Sequence, residues 1–256
     1  MRGVVRTGER LIGSGQSCFV IAEAGVNHNG DMALAHKLIE SAAAAGADAV
    51  KFQHFYADDL VISSAPKTQY QTKTTSATQC QLDMLKALEL TLDQQRELKE
   101  HCDASGVLYL CTPYETRSAD DLDAIGIAAF KVASTDTTNT PFLTYLAAFG
   151  RPVFLSTGMS TLCEVESAVS ALEDGGLRNG TVLLHCVSEY PSPIEESNLL
   201  AIATLQQAFT CPAGFSDHTR GIKAACWAVA CGACVIEKHF TLSRELEGPD
   251  HMSSLE

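Results

Sequence analysis

The sequence has no long uninterrupted hydrophobic run, which excludes an ordinary membrane-spanning helix. The best candidate, residues 224–236, falls short of the roughly 18 residues that a span needs and is interrupted by Gly232. Near the N-terminus, the Gly, Ser and Gln of residues 13–17 leave no continuous hydrophobic region of the kind found in secretory signals. We therefore expect a chain that works in the cytoplasm.

Positive charge is also scarce. Lys and Arg number 18 against 31 Asp and Glu, a formal net charge of −13, which disfavours nucleic acid and anionic membranes as partners. The ten cysteines have no regular spacing and are typical of reduced thiols; the CxxC spacing of Cys231 and Cys234 lies among apolar neighbours and favours packing. Small-molecule substrates remain the expected partners.

Short apolar or β-branched runs alternate with helical patterns along the chain. The runs lie at residues 19–22, 49–52, 107–111, 129–132, 153–155, 182–184, 213–215 and 235–236. The helical patterns lie at 32–45, 92–105, 118–125, 141–149, 162–173, 199–209 and 222–230. Because almost wholly apolar strands that alternate with helices indicate a covered parallel sheet, we predict an α/β fold, a single (β/α)8 TIM barrel over residues 1–256.

Two stretches depart from an ideal barrel. Residues 54–90 form a long polar excursion after the second strand, rich in Thr, Gln and Ser, and such an insertion is more often functional than idle. After the eighth strand the sequence carries no pattern for an eighth helix. We therefore expect a barrel that is truncated at its C-terminal side.

Polar side chains follow the apolar runs, where each predicted strand ends. In a parallel barrel the carboxyl ends of the strands and the loops after them form the active face. In chain order these side chains are Glu23, Lys51, Gln53, Thr112, Lys131, Ser134, Ser156, His185, Ser188, Tyr190, Ser216, His218, Glu237, Lys238 and His239. Their recurrence at one rim predicts a functional site.

Closure of the barrel makes strands seven, eight and one neighbours, so His218, His239 and Glu23 are expected in one sector. Two imidazoles with a nearby carboxylate suit a divalent cation such as Mn²⁺, Zn²⁺ or Fe²⁺ and leave positions open for substrate. The alternative is that each histidine satisfies a local hydrogen bond, and for His185 the two interpretations are evenly matched.

The opposite arc of the rim combines lysines with hydroxyls, a set that fits a phosphate or carboxylate. Burying Lys51 and Lys131 is costly unless an anion meets them. That anion is a bound substrate in one interpretation and a rim Asp or Glu in the other. A Schiff-base aldolase would also use a buried lysine, but it needs no metal, and the histidine pair argues against it.

Eight motifs carry a family resemblance that runs in order over nearly the whole chain. They are FVIAEAGVNHNG at 19–30, VKFQ at 50–53, KVASTD at 131–136, LSTGM at 155–159, LHCVSEYP at 184–191, GFSDHT at 214–219, EKHFTL at 237–242 and GPDHMSSL at 248–255. In these motifs the chain resembles the sialic acid synthase (N-acetylneuraminate synthase) family, which includes the legionaminic and pseudaminic acid synthases.

The resemblance implies a phosphoenolpyruvate-dependent barrel enzyme, a transferase that joins phosphoenolpyruvate to an N-acetylated amino sugar, adds water and releases phosphate. The sugar would be N-acetylmannosamine or a related 6-deoxy diacetamido hexose, and the product a sialic-type nonulosonic acid. It also implies a divalent metal, with Mn²⁺ first and Mg²⁺, Co²⁺ or Zn²⁺ as alternatives.

The same resemblance implies residue roles. His218 and His239 match metal ligands, and Glu23 matches the catalytic carboxylate beside the metal and the sugar's aldehyde, with Lys51 and Lys131 as the other catalytic residues. Positions that match phosphoenolpyruvate contacts are Lys51, Thr112, Lys131, Ser134, Ser156 and Ser216, with Ser188 where members carry Asn or Ser. Positions that match sugar contacts are Gln53, Tyr190 and Asp250.

Family members usually continue through an eighth helix and a small antifreeze-like domain that reaches across a dimer. Without that domain, the resemblance leaves a homodimer open for this chain. Two alternatives follow: a barrel that binds metal and phosphoenolpyruvate without efficient turnover, or another phosphoenolpyruvate-dependent aldol synthase. The second would take a phosphorylated aldose, for which the sequence offers no second cluster of Arg or Lys.

Overall fold

The computed structural model describes residues 3–67 and 80–256, in which strands and helices alternate. The strands are β1 (Val4–Thr7), β2 (Arg10–Gly13), β3 (Phe19–Gly25), β4 (Ala49–His54), β5 (Leu108–Pro113), β6 (Phe130–Val132), β7 (Val153–Ser156), β8 (Thr181–Cys186), β9 (Ala213–Asp217) and β10 (Val235–His239). The helices are α1 (Met32–Ala44), α2 (Ala57–Leu60), α3 (Gln81–Lys86), α4 (Leu92–Ala104), α5 (Thr116–Ala124), α6 (Thr140–Ala147), α7 (Leu162–Asp174), α8 (Ala201–Phe209) and α9 (Lys223–Ala230).

Strands β3 to β10 form a closed parallel barrel in chain order, with β10 hydrogen-bonded to β3. The predicted TIM-barrel fold is confirmed, since every predicted apolar run overlaps one of these strands, two of them starting one residue early. The reason is burial on both faces: the strands pack against helices outside and against one another's side chains inside. None of the helices among the described residues is long and apolar enough to cross a membrane.

A β-hairpin of β1 and β2 precedes the barrel, and the sequence did not predict it. Its strands pair antiparallel, and its buried side chains Val5 and Ile12 pack against Phe19 and Phe154 inside the N-terminal end of the barrel. Each strand has only four residues, and each includes one arginine, so the alternation of apolar and polar residues is too short to stand out. The hairpin therefore covers the end of the barrel opposite the predicted site.

The predicted excursion at residues 54–90 contains α2 and α3, while its residues 68–79 lie outside the described residues. The described part of this insertion contributes buried apolar side chains, although the insertion as a whole is rich in Thr, Gln and Ser. Phe55, Met84 and Leu88 pack with Val26, from the loop after β3, in a small hydrophobic cluster separate from the barrel core. This cluster attaches the insertion to the C-terminal rim.

The Asn27–Gly30 turn after β3 ties the rim to the end of the chain. Asn27 donates to the carbonyl of Phe240 at 2.8 Å and to Ser254 Oγ at 3.0 Å. His28 is fully buried, its Nδ1 accepts a hydrogen bond from the Gly30 N–H at 3.0 Å, and its Nε2 has no hydrogen-bond partner among the described residues. His28 therefore shapes this turn.

Burial of His28 gives the turn a defined pH response. Burial, with a smaller contribution from His251, lowers the pKa of His28 to about 4, whereas the unfolded chain keeps a value near 6.5. Between these values the unfolded chain binds a proton that the folded chain does not, so this group lowers the free energy of unfolding as the pH falls, by about 3 kcal/mol in all.

We expect His28→Asn, which retains an acceptor for Gly30, to lose less stability than the wild type between pH 6.5 and 4 in urea unfolding. Parallel curves for the two proteins would contradict this.

Candidate active site

A cavity of about 620 Å³ opens at the carboxyl ends of the barrel strands. Every side chain to which the family resemblance assigns a role lies in its lining, and so does Glu237, whereas His185 and Lys238 of the predicted rim do not. The predicted residues in the lining are Glu23, Lys51, Gln53, Thr112, Lys131, Ser134, Ser156, Ser188, Tyr190, Ser216, His218, His239 and Asp250. Residues separated by up to 227 positions in the sequence are thus brought to one cavity by closure of the barrel.

Strand register explains how the first of these side chains meet. Glu23 of β3 lies opposite Lys51 of β4 on one side and opposite His239 of β10 on the other. On the next pair, Ser216 of β9 lies opposite Glu237 of β10. Because paired strands lie about 4.8 Å apart and alternate residues share a face, these side chains point into the same space.

Four buried charges lie at the bottom of the cavity, and we call them the charge cluster: Glu23, Lys51, Lys131 and Glu237. Lys51 Nζ lies 3.0 Å from Glu23 Oε2 and 3.5 Å from Glu237 Oε2, and Lys131 Nζ lies 3.8 Å from Glu237 Oε1. All four side chains are at most 6% exposed. The lysines therefore pair with protein carboxylates, which is one of the two partners for buried lysines that the sequence left open.

The four groups of the charge cluster differ in the direction in which their pKa values are shifted. Burial raises the pKa of Glu23 to about 7, with Lys51 acting in the opposite direction. For Glu237 the effect of burial is outweighed by Lys131 and Lys51, which hold its pKa well below its usual range. Burial lowers the pKa of Lys131, whereas Lys51 has its pKa raised because Glu23 and Glu237 together outweigh burial. Glu23 is thus the member of the cluster that takes up or gives up a proton near neutral pH.

Hydroxyl groups surround the lysines. Lys51 Nζ donates to Thr112 Oγ1 at 3.1 Å, and Lys131 Nζ donates to Ser156 Oγ at 2.7 Å and to the carbonyl of Val132 at 2.9 Å. These bonds leave the ammonium groups fixed in direction at the cavity surface. Such an arrangement offers charge and donors together to an anion that enters the cavity.

A cradle of small groups lies beside Lys131, around Gly158. The Gly158 N–H donates to Ser134 Oγ at 3.0 Å, and Ser134 Oγ lies 3.1 Å from Cys186 Sγ. A methyl group on Gly158 would lie 2.4 Å from Ser188 Oγ, 2.8 Å from Cys186 Sγ and 2.9 Å from Ser134 Oγ. Only glycine leaves room between these groups.

The two predicted metal-ligating histidines lie at neighbouring strand ends, His218 directly after β9 and His239 at the end of β10, with ring centroids 6.0 Å apart. Burial lowers the pKa of His218 to about 4 and that of His239 to about 3, so both imidazoles are neutral at pH 7. The Nδ1 of His218 donates to the carbonyl of Val187 at 2.5 Å, which leaves its Nε2 lone pair toward Ser216, 3.2 Å away. Tyr190 stacks on His218 at 4.0 Å.

The two histidines offer neutral nitrogen donors to a metal ion, but the described residues add no third protein ligand to them. The Nδ1 of His239 is buried with no hydrogen-bond partner among the described residues, and it lies 4.0 Å from Asp250 Oδ2. A buried unpaired imidazole nitrogen beside a second neutral imidazole is a donor set that a divalent cation accepts. Within the described residues, however, no three His, Cys, Asp or Glu side chains are grouped as a metal site. Glu23 turns to Lys51 instead.

His185 lies outside the cavity lining. Its Nε2 bonds to the carbonyl of Ser197 at 2.8 Å, and its ring stacks on Phe215 at 5.8 Å. Of the two interpretations left open by the sequence, the structure supports the local hydrogen bond.

The sequence places Glu237 at the rim without a specific role and singles out neither Gly158 nor Cys186, although all three contribute to the site. The inward direction of Glu237 follows from its position two residues before His239 on the same strand. Gly158 follows β7 among small residues that carry no distinguishing pattern, and Cys186 is one of ten cysteines without regular spacing. The contribution of Gly158 and Cys186 depends on the close approach of β6, β7 and β8.

Comparison with known proteins agrees with these features. Residues 38–256 match the model of the NeuB family. The N,N'-diacetyllegionaminic acid synthase of Campylobacter jejuni is 49% identical over 93% of this chain and 71% of its own, and that of Legionella pneumophila is 44% identical over 95% and 69%. The crystal structure of N-acetylneuraminic acid synthetase from Leptospira borgpetersenii, in complex with citrate, superposes with a TM-score of 0.89 at 35% identity, covering 100% of this chain and 84% of that one. The resemblance seen in the sequence motifs is confirmed: the chain belongs to the NeuB family.

Proposed function

We propose that this protein condenses phosphoenolpyruvate with an open-chain N-acetylated amino sugar and water, giving a nonulosonic acid and phosphate. The sugar is N-acetylmannosamine or a related 6-deoxy diacetamido hexose. The observation that carries the proposal is the presence, in one cavity, of an anion site built on Lys51 and Lys131 beside two neutral, buried imidazoles. Family membership supports the same chemistry.

The anion site suits the two charged ends of phosphoenolpyruvate. Lys131 and Ser156 supply a cation and a hydroxyl 2.7 Å apart, and Ser134, Ser188 and the space at Gly158 provide a compact cradle for a phosphate. Burial raises the pKa of Glu23 to about 7, so a large fraction of this carboxyl is ionised at neutral pH and can accept a proton. Positioning and charge stabilisation then supply most of the rate.

His218 and His239 are the residues that would hold a divalent cation, Mn²⁺ in this proposal. Bound there, the ion supplies Lewis-acid chemistry to the sugar's carbonyl oxygen. Tyr190, Gln53 and Asp250 hold the sugar in the part of the cavity next to the histidines, and burial raises the pKa of Asp250 to about 6.

Glu23 acts as the base. Carbon 3 of phosphoenolpyruvate forms a bond to carbon 1 of the sugar as the π bond of the sugar's carbonyl breaks, and carbon 2 is left electron-poor. A water molecule adds to carbon 2 and loses one proton to Glu23, which passes that proton to the sugar's oxygen. The bond from carbon 2 to the phosphate oxygen then breaks, and phosphate leaves with the electron pair and with the proton of the new hydroxyl as carbon 2 becomes a ketone. Lys51 stays 3.0 Å from Glu23 and stabilises its ionised form for this step.

We also propose a cytoplasmic location, which the ten free cysteine thiols support. Small-molecule substrates as partners, without nucleic acid or membrane, remain predictions, as does a homodimer.

The direct test is phosphate release from phosphoenolpyruvate carrying ¹⁸O in the bridging position, with Mn²⁺ and a panel of N-acyl sugars. We expect phosphate to appear only with an acceptor sugar present and to retain the label, because the carbon–oxygen bond breaks. Arabinose 5-phosphate serves as the comparison for an aldol synthase of another type. Release with arabinose 5-phosphate alone, or binding of phosphoenolpyruvate with no phosphate from any sugar, would contradict the proposal.

The cradle at Gly158 gives a second test. We expect Gly158→Ala to raise the KM for phosphoenolpyruvate roughly 10- to 100-fold, because its methyl group displaces the hydroxyls of Ser134 and Ser188 that bind a charged group. Because the methyl group would also lie 2.8 Å from the buried Cys186 Sγ, we expect the thermal unfolding midpoint to fall as well, while the affinity for Mn²⁺ should change little. An unchanged KM would show that phosphate binds elsewhere.

The histidine pair gives a third test. We expect His218→Ala and His239→Ala each to abolish stoichiometric Mn²⁺ binding, measured by electron paramagnetic resonance of the free ion, because each removes a neutral imidazole donor. His101→Ala is the matched control, since His101 stacks on His36 in helices outside the barrel. Full metal stoichiometry in both site variants would refute the ligand assignment.

A further inference from the structure

A network of buried hydrogen bonds lies between the strands β4 and β5 and the helices α4 and α5, and no role assigned above uses it. Its central member is Gln95 of α4, which is fully buried. The Gln95 Nε2 donates to the carbonyl of Gln53 at 3.0 Å and to Nδ1 of His54 at 3.2 Å. The Tyr109 hydroxyl donates to the Gln95 Oε1. Both polar atoms of this buried amide therefore have partners.

The groups at the two ends of the network fix the direction of each hydrogen bond. The Gln53 carbonyl can only accept, so the nitrogen of the Gln95 amide must face it. His54 is 1% exposed, and burial lowers its pKa against the opposing effect of Asp121, so its ring is neutral at pH 7. Its Nδ1 then accepts from Gln95, and its Nε2 donates to Asp121 Oδ2 at 3.1 Å, which also accepts from the Tyr56 hydroxyl at 2.6 Å.

The network holds the end of β4 from the side opposite the cavity. Gln53 lines the cavity, whereas His54, the next residue of β4, points outward to the helices. The Gln53 side chain lies beside the catalytic carboxylate. A methyl group on Gly25 would lie 3.5 Å from Gln53 Nε2 and 3.2 Å from Glu23 Oε1. A shift of the Gln53 backbone would therefore move its amide relative to the base.

We propose that Gln95 is a positioning residue, which fixes the Gln53 side chain for the acceptor by binding the Gln53 carbonyl. The inference rests on the proposed function, in which Gln53 helps to hold the sugar. A buried polar network whose members are all satisfied is rigid, and residues that support a contact residue from behind determine how precisely it meets its ligand. Tyr109 and His54 hold the Gln95 amide in turn, so the network joins α4 to the end of the strand.

The test uses Gln95→Met, which keeps the side-chain volume but removes the three hydrogen bonds of the amide. Initial rates of phosphate release are measured with Mn²⁺ while phosphoenolpyruvate and the sugar are varied separately. The sugar is N-acetylmannosamine or the 6-deoxy diacetamido hexose, whichever reacts faster. We expect the KM for the sugar to rise roughly tenfold and the KM for phosphoenolpyruvate to change by less than about twofold. A merely structural role would lower the thermal unfolding midpoint without separating the two KM values.

A double-mutant cycle with Gln53→Ala tests whether the effect passes through Gln53. If it does, Gln95→Met should change the KM for the sugar little once Gln53 is already truncated. An unchanged KM for the sugar in Gln95→Met, an equal rise of both KM values, or independent effects of the two substitutions would overturn the inference while the proposed function stands. No phosphate from any sugar with the wild type would overturn the proposed function and the inference with it.

Two further variants control for indirect effects. Glu100→Gln changes an exposed residue of α4 and should leave both KM values unchanged. Tyr109→Phe removes only the hydroxyl that donates to Gln95 Oε1, and it should raise the KM for the sugar roughly threefold. Should Gln95→Met fail to fold, Tyr109→Phe replaces it, and an unchanged KM for the sugar in that variant would overturn the inference.

Discussion

The constraint on which the rest of the structure depends is the burial of two lysines and two glutamates in one charge cluster. A single buried charge of this kind is costly, and loss of one partner would leave another uncompensated. Glu237 is the common partner, since it lies within 4 Å of both Lys51 and Lys131. These side chains come from β3, β4, β6 and β10, so the cluster requires the barrel to close between its first and last strands.

The barrel meets this requirement by separating apolar and charged layers along its axis. Beneath the cluster, Phe19, Ile21 and Phe154 fill the interior, and the N-terminal hairpin covers that end. Alternation along β10 sends Glu237 and His239 inward, while Lys238, between them, forms a 2.8 Å ion pair with Asp217 of β9. Along β10, Glu237 and His239 therefore contribute to the site, and Lys238 between them stabilises the pairing of β10 with β9 that positions the site.

The parts of this arrangement that repeat along the chain were predictable from the sequence. Apolar runs with a polar residue at each end predicted the strands, and barrel closure then predicted that Glu23, His218 and His239 share a cavity. The hairpin was missed because its strands are too short for alternation to be visible. Glu237 was placed at the rim, but its partners were not predicted, because a carboxylate at a strand end does not reveal which lysine it will meet. The cradle at Gly158 depends on how closely Ser134, Cys186 and Ser188 approach this glycine, and no sequence pattern encodes those distances.

The site thus has two parts that differ in how they are built. Its charged groups are held by parallel strands in fixed register, with side chains buried on all sides, so few substitutions there leave the charges balanced. The apolar part of the lining is carried by short helices in the connection between β4 and β5, and the small cluster of Val26, Phe55, Met84 and Leu88 holds it to the rim. Strand ends thus fix the buried charges, whereas a connection built on the rigid barrel supplies the apolar surface beside them.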